Sequence, residues 1–246
     1  MAAPLFCYNN LLRSATIVSE ATITNFGFAK ALDGGTSTQA GFAAGAARDV
    51  VVDFGSARSF DHVCAAGHNL SGVTLTIAGS SDNVTYTDID AVTFSSNVVQ
   101  VHEIDPGNVR YVRLRFSGMA GSVYVADLFL GTALELPYGI PHGFTPPEQG
   151  DQDVIDTNMA GNGALVGITI TRKPKRTRLS LQDYPGSWFE ANWSGLIESM
   201  KLYPAYFLWA AGKRAFYCTL ARTAPSPAYN SNIRQSATLE LEGFVE

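Results

Sequence analysis

The sequence predicts a mostly β protein in two parts. The first is a β-sandwich of the jelly-roll kind; the second is a small α+β domain, a β-barrel or sandwich with one flanking helix. Three observations carry this reading. Short alternating segments recur roughly every eight to twelve residues through the first half. Glycine, Asn, Asp and Ser clusters separate them, as tight turns require. Composition then shifts where Pro137, Pro141, Pro146 and Pro147 gather with Gly139, Gly143 and Gly150. The expected organisation is a jelly roll over 1–136, a Pro/Gly-rich linker over 137–150 and a second domain over 151–246.

The clearest strand is Val109–Phe116, with Val112, Leu114 and Phe116 on one face and Tyr111, Arg113 and Arg115 on the other. A period of two is the mark of a half-buried strand. Ser117–Ser122 supplies a turn, and Val123–Leu130 reads as the second arm of a hairpin. Upstream, Ala15–Ser19, Val50–Phe54, His62–Ala66, Val73–Gly79, Tyr86–Ile89 and Val98–Ile104 read as further strands. The intervening turns are Ala29–Thr38, Gly67–Gly72, Ser80–Thr85 and Asp105–Asn108.

In this order, Ala31-Leu32-Asp33-Gly34, Val51-Val52-Asp53-Phe54-Gly55, Gly67-His68-Asn69-Leu70, Ile77-Ala78-Gly79-Ser80-Ser81-Asp82, Arg110-Tyr111-Val112-Arg113-Leu114 and Ala126-Asp127-Leu128 resemble discoidin-like domains. These are the galactose-binding-like jelly rolls also called F5/8 type C modules. The resemblance implies binding of glycans or other surfaces through loops at one end. It also implies a structural calcium position, matched here by Asp33 and Asp127, the latter standing where the family more often has Glu. Composition itself calls for no cofactor.

After the linker, Ala164–Thr171 reads as a strand, Arg172–Arg178 as a basic turn, and Leu179–Leu181 as the returning arm. Ser187 is the expected helix cap with Glu190 three residues on. Phe189, Trp193, Leu196, Ile197 and Met200 give the helix one apolar face, and Tyr203-Pro204 ends it. Tyr206–Ala210 and Ala215–Leu220 form an aromatic hairpin, Pro225–Asn232 a surface loop, and Ala237–Val245 a closing strand. This order of elements resembles, in architecture, the distal-tail and tail-tube-like proteins of long-tailed bacteriophages. It implies a structural virion part at the tail tip or baseplate, assembled in the bacterial host cytoplasm. Its partners would be other phage tail proteins and copies of itself in a ring. The alternative is a stand-alone, lectin-like carbohydrate-binding module.

Charge and cysteine usage narrow the function classes. Net charge is −5, so no global basic field draws in nucleic acid. Met1-Ala2-Ala3-Pro4 has no basic n-region and no long apolar run follows, so neither a signal peptide nor membrane insertion is expected. Cys7, Cys64 and Cys218 are odd in number and unpaired in spacing, as expected of free buried thiols. His62 and His68 flank Cys64, but zinc needs three or four ligands and no second pair stands nearby. No nucleophile elbow appears, so the chain is not expected to be an enzyme.

Two sets of residues remain as candidates for binding. Tyr86 with His68, Asn69 and Asp82 sits in or beside turns and supplies a stacking ring with amide and carboxylate partners, the composition a sugar requires. Arg172, Lys173, Lys175 and Arg176 make a basic tip suited to an acidic patch on a neighbouring subunit.

Overall fold

The computed structural model describes residues 4–140, 143–147, 154–162, 164–171, 175–209, 215–222, 226–231 and 233–244. Among these the first nine strands are β1 (Leu5–Cys7), β2 (Thr16–Glu20), β3 (Ala40–Phe42), β4 (Arg48–His68), β5 (Thr74–Ser80), β6 (Thr87–Thr93), β7 (Gln100–Ser117), β8 (Val123–Gly131) and β9 (Leu134–Glu135). They are followed by β10 (Val154–Met159), β11 (Leu165–Thr171), β12 (Lys175–Pro185), the helix α1 (Gly186–Leu202), β13 (Ala205–Leu208), β14 (Phe216–Leu220), β15 (Ala228–Ser231) and β16 (Arg234–Phe244). Among the described residues no helix is long and apolar enough to cross a membrane.

The first sheet runs β3-β8-β4-β7-β5-β6, with β2 added on β4. It closes into a sandwich because β4 and β7 are long and bend together. Arg48–Asp53 pairs with Tyr111–Phe116; the register then breaks, and His62–Ala65 pairs with Gln100–Glu103. Two expected strands, Val50–Phe54 and His62–Ala66, are thus halves of one. Gly55, at φ +76°, lies within the irregular stretch. The expected turn at Asp105–Asn108 likewise lies inside β7. There the Phe60 ring lies so close that a Cβ on Gly107 would meet it at 2.3 Å. Val112, Leu114 and Phe116 all point into the core, as their spacing predicts, and Phe116 stacks on Phe42 of β3 at 4.3 Å. Each such side chain contributes about 1.5–3 kcal/mol by leaving water.

The expected hairpin between Val109–Phe116 and Val123–Leu130 does not form. β4 stands between β7 and β8 and pairs with both. The reason is that alternation fixes which face is buried but not which strand is the neighbour.

The second sheet runs β12-β16-β14-β13-β1-β9, with β15 on β16. Its last two members come from the start of the chain and from the segment just after β8: Leu5 pairs with Glu135 and Phe6 with Leu134. The expected first domain, 1–136, therefore lends both its ends to the second sheet, and the sandwich is inserted between neighbouring strands. The aromatic hairpin forms as expected, with Tyr206 opposite Tyr217 and Phe207 opposite Phe216. Helix α1 buries Phe189, Leu196, Ile197 and Met200 against this sheet, with Trp193 packed at the margin.

Three local expectations change. The N-cap position is Pro185 and no side chain caps the helix; instead the Gly186 N–H donates to the Ile233 carbonyl at 2.9 Å. Ser187 is thus inside the first turn. Ala228–Ser231, expected as loop, pairs with β16. The strand Leu165–Thr171 pairs with β10 rather than with Leu179–Leu181, whose partner is β16.

The two parts meet in a third apolar cluster. Leu5, Cys7, Tyr206, Ala215 and Tyr217 from the second sheet pack with Cys64, Ala66, Val99 and Phe129 from the sandwich. All three cysteines are free and buried.

Candidate carbohydrate-binding surface

The structure divides the four residues expected to bind sugar into two pairs. His68 and Asn69 lie at the end of β4, near the start of β5; Asp82 and Tyr86 lie in the turn after its far end. Seven strand residues at about 3.3 Å each put about 20 Å between the pairs.

The first pair does structural work. The His68 ring is buried, tilts over Phe94 at 5.4 Å and accepts from the Leu70 N–H through Nδ1 at 3.2 Å. Burial holds its imidazole at about 4, well below the usual range. The Asn69 amide is spent on the backbone, accepting from the Tyr124 N–H at 2.6 Å and donating to the Ser122 carbonyl at 3.2 Å. Its exposed neighbourhood includes an aromatic pair absent from the sequence-based set, Phe26 and Tyr124, edge to face at 5.3 Å, with the Lys30 ammonium 5.5 Å from the Phe26 ring.

The second pair forms a coherent site. Between β5 and β6 the chain turns through Ser80–Thr85, with Asn83 in the left-handed region at φ +61°. Asp82 ties this turn: its Oδ1 accepts from the N–H groups of Val84 and Thr85 at 2.9 and 3.0 Å and from the Ser80 hydroxyl at 2.8 Å. These donors hold its carboxyl at about 2. All three fall on Oδ1, so Oδ2 keeps its accepting capacity. The Tyr86 hydroxyl donates to Asn83, which fixes the ring beside the turn.

Arg113, on the outer face of β7, lies with its guanidinium 4.7 Å from the centre of the Tyr86 ring. Its neighbours on that strand are differently occupied. Arg110 grips Asp53 with two bonds of 2.9 and 2.8 Å, and Arg115 grips Asp49 with two of 2.8 Å. Hydrogen bonding to Arg110, helped by the Gly55 N–H, holds the Asp53 carboxyl at about 2. Arg113 has no hydrogen-bonded carboxylate among the described residues, and its Nε is buried without an acceptor. The alternation around Val112 and Leu114 marked Arg113 as outward-facing; nothing local in the sequence paired it with Tyr86, 27 residues earlier.

The residues matched to a calcium position have other partners. Asp127 is fully buried; Arg13 donates to it at 2.6 Å and the Tyr206 hydroxyl at 2.7 Å. Its counter-charge is a guanidinium. Asp33 accepts from the Gly35 N–H at 2.8 Å and from the Thr38 hydroxyl, closing its own turn. Among the described residues no group of three or more His, Cys, Asp or Glu is placed to hold a metal ion.

Part of the basic run lies in a strand. Arg172 and Lys173 lie outside the described residues; Lys175 and Arg176 belong to β12, opposite Gly243 and Glu242 of β16. The Arg176 guanidinium pairs with Glu242 at 2.8 Å, so the neighbouring strand of the same chain supplies the acidic partner.

No curated protein matches the chain. Residues 14–126, just under half of it, match the family model of the F5/8 type C domain. Among solved structures the chain is similar to the C-terminal domain of a chitobiase from Bacteroides fragilis, at 14% identity over 50% of this chain and 96% of that one, TM-score 0.42. It is similar to CBM32-1 of a family 31 glycoside hydrolase from Clostridium perfringens, at 17% over 50% and 98%, TM-score 0.43. It is also similar to chitosan-binding module 1 of a chitosanase/glucanase from Paenibacillus sp. IK-5, at 19% over 50% and 98%, TM-score 0.40.

Proposed function

We propose that the inserted sandwich is a non-catalytic carbohydrate-binding module whose contact surface is the Asp82–Tyr86 turn together with Arg113. The match of residues 14–126 to the F5/8 type C domain supports the class of activity. One observation supports the location: a part-exposed ring, a carboxylate oxygen with spare accepting capacity and a guanidinium that no carboxylate of the described residues hydrogen-bonds come together there. A ring covers the apolar face of a pyranose, while the oxygen and the N–H groups bind its hydroxyls. The test is a glycan array followed by titration calorimetry with Tyr86→Ala and Phe26→Ala. Loss of binding in the Tyr86 variant alone supports this surface. Loss in the Phe26 variant alone moves the site to the Phe26–Tyr124 end.

A second reading adds self-assembly, as in a phage tail tip. Among the described residues the ribbon β10–β11 pairs with neither large sheet, and it exposes Met159, Leu165, Val166 and Ile168. A two-stranded ribbon is marginal alone in water, and an exposed apolar patch favours a partner. Light scattering on the whole chain tests it: a closed ring supports the reading, a monomer at high concentration removes it.

A further inference from the structure

In the second sheet the ladder breaks on both sides of β16 at nearly one level. Leu181 pairs with Ala237 and Tyr184 with Gln235, so Gln182 and Asp183 of β12 together face the single residue Ser236. On the other side Tyr229 pairs with Gln235 and Ser231 with Arg234, which leaves Asn230 of β15 as an extra residue. Bulges re-aim side chains, and here Asp183 and Asn230 meet across β16. Asp183 is held in the left-handed region at φ +56°, a conformation that Asp and Asn tolerate better than most residues.

The hydrogen bonds of this group leave a defined remainder. The Asn230 amide donates to Asp183 Oδ1 at 2.8 Å and to the Ser236 hydroxyl, so both of its hydrogens are used. The Ser236 oxygen also accepts from the Asp183 N–H at 3.0 Å, so only its proton is left to give. Among the described residues nothing donates to Asp183 Oδ2 or Asn230 Oδ1. One fixed donor thus stands beside two open acceptors. With Gln182, Ser226 and Thr238 they line a recess of about 440 Å³. That volume is within the usual range of small-molecule sites, about 300–1,000 Å³.

We propose that this recess is a second binding site, independent of the sandwich surface, and that its ligand is a neutral, hydroxyl-rich molecule, a single sugar residue. The described lining has no cationic side chain to take an anion and no aromatic ring to stack a base. Ala228 and Ala237 add only small apolar contacts. A hydroxyl group both gives and accepts hydrogen bonds, so one can accept from Ser236 while it donates to Asp183 or Asn230. Neighbouring hydroxyls of a pyranose reach Thr238 and Gln182 at the same time. The groups are already fixed to one another, so binding has little ordering to do.

The experiment is an amide NMR titration of the isotope-labelled full chain with the methyl glycosides of glucose, galactose and mannose, and with methyl glucuronide as the charged comparison. At least one neutral glycoside should shift the amides of Asp183, Asn230, Ser236 and Thr238 saturably, and equally so in a Tyr86→Ala chain. The glucuronide should bind more weakly, because its carboxylate meets that of Asp183. Asp183→Asn keeps a residue suited to the left-handed region but removes the charged acceptor, and should weaken binding about tenfold. Ser236→Ala removes the donor and should weaken it too. Thermal melts verify that the variants fold, and the shifts in the parent chain locate the site without them. A parent chain with no saturable shift at the recess overturns the proposal, even if the Tyr86 turn responds and the carbohydrate-binding reading of the sandwich stands. So does unchanged affinity in folded Asp183→Asn and Ser236→Ala chains, or glucuronide binding as tight as that of the neutral sugars. Shifts at the recess with a silent Tyr86 turn support this site and remove the other.

Discussion

The hydroxyl of Tyr206 on β13 donates to the buried carboxylate of Asp127 on β8 at 2.7 Å, across the boundary between the two sheets. Arg13 completes the group at 2.6 Å from the other carboxylate oxygen, with its guanidinium lying 4.3 Å from the centre of the Tyr203 ring. One strand from each sheet and the helical turn between β1 and β2 thus share a single buried charge.

Removing that hydroxyl should weaken the whole chain, not one half. Tyr206→Phe leaves Asp127 short of a donor and should cost about 1–3 kcal/mol. Arg13→Ala leaves the carboxylate without its cation and should cost about 3–5 kcal/mol. Urea unfolding monitored by fluorescence checks both. A midpoint unmoved by Tyr206→Phe would show that the bond contributes nothing across the boundary.

Stability should fall on mild acidification. Burial lowers the folded pKa of His68 to about 4 from 6.5, and it lowers that of His102 in the same direction. Between these values the unfolded chain binds the proton and the folded one does not, so stability rises with pH across this window and is lost as pH falls through it. For His68 the full shift corresponds to about 3 kcal/mol. Chemical denaturation at pH 7 and pH 4.5 should show the loss, and His68→Asn should flatten the slope. Asp49, Asp53 and Asp82, whose folded values are lowered, add their losses only at more acid pH.

The second sheet should depend on β1 despite its distance in sequence. Phe6 stacks on Phe207 at 4.6 Å, so a fragment of residues 137–246 exposes the β13 edge and this ring. A chain in which Asn-Gly replaces residues 9–131 keeps β1 and β9 as a hairpin, since Tyr8 and Thr132 continue their register. This version should melt cooperatively by circular dichroism, whereas the fragment should aggregate or melt without cooperativity. Identical melts would show β1 to be dispensable.

Helix α1 should be held by its apolar face. Leu196 is fully buried, and Leu196→Ala should cost about 2–5 kcal/mol. Ser187→Ala should change little, because Pro185 occupies the cap position and the Gly186 N–H already has the Ile233 carbonyl. Reversal of that order in thermal melts would restore Ser187 as the cap.

What was legible in the sequence follows the range of the interactions. The inward set Val112, Leu114 and Phe116 and the helix face Phe189–Met200 are local periodicities, and both appear as read. The pairing of β4 between β7 and β8 is non-local, and no residue near Ser117–Ser122 encodes it. At the site, Asp82 and Tyr86 belong to one turn and were readable as such. His68 and Asn69 share the turn-like composition, but their side chains are consumed by Leu70, Ser122 and Tyr124, contacts that only the fold creates. Arg113 was hidden for the same reason: among the described residues it has no hydrogen-bonded carboxylate such as Arg110 and Arg115 possess.

The adjacency of β1 and β9 has a mechanical meaning. Strand β1, near one end of the chain, and β16, near the other, belong to the same sheet, joined through β13 and β14. Tension applied between the two ends therefore runs through that sheet and its hydrogen-bond ladders. The sandwich leaves and returns side by side, so it hangs off the load path as a pendant. Pulling on the chain by its ends would unzip β1 before any force reached the Tyr86 turn, and a ligand held there would not feel the strain.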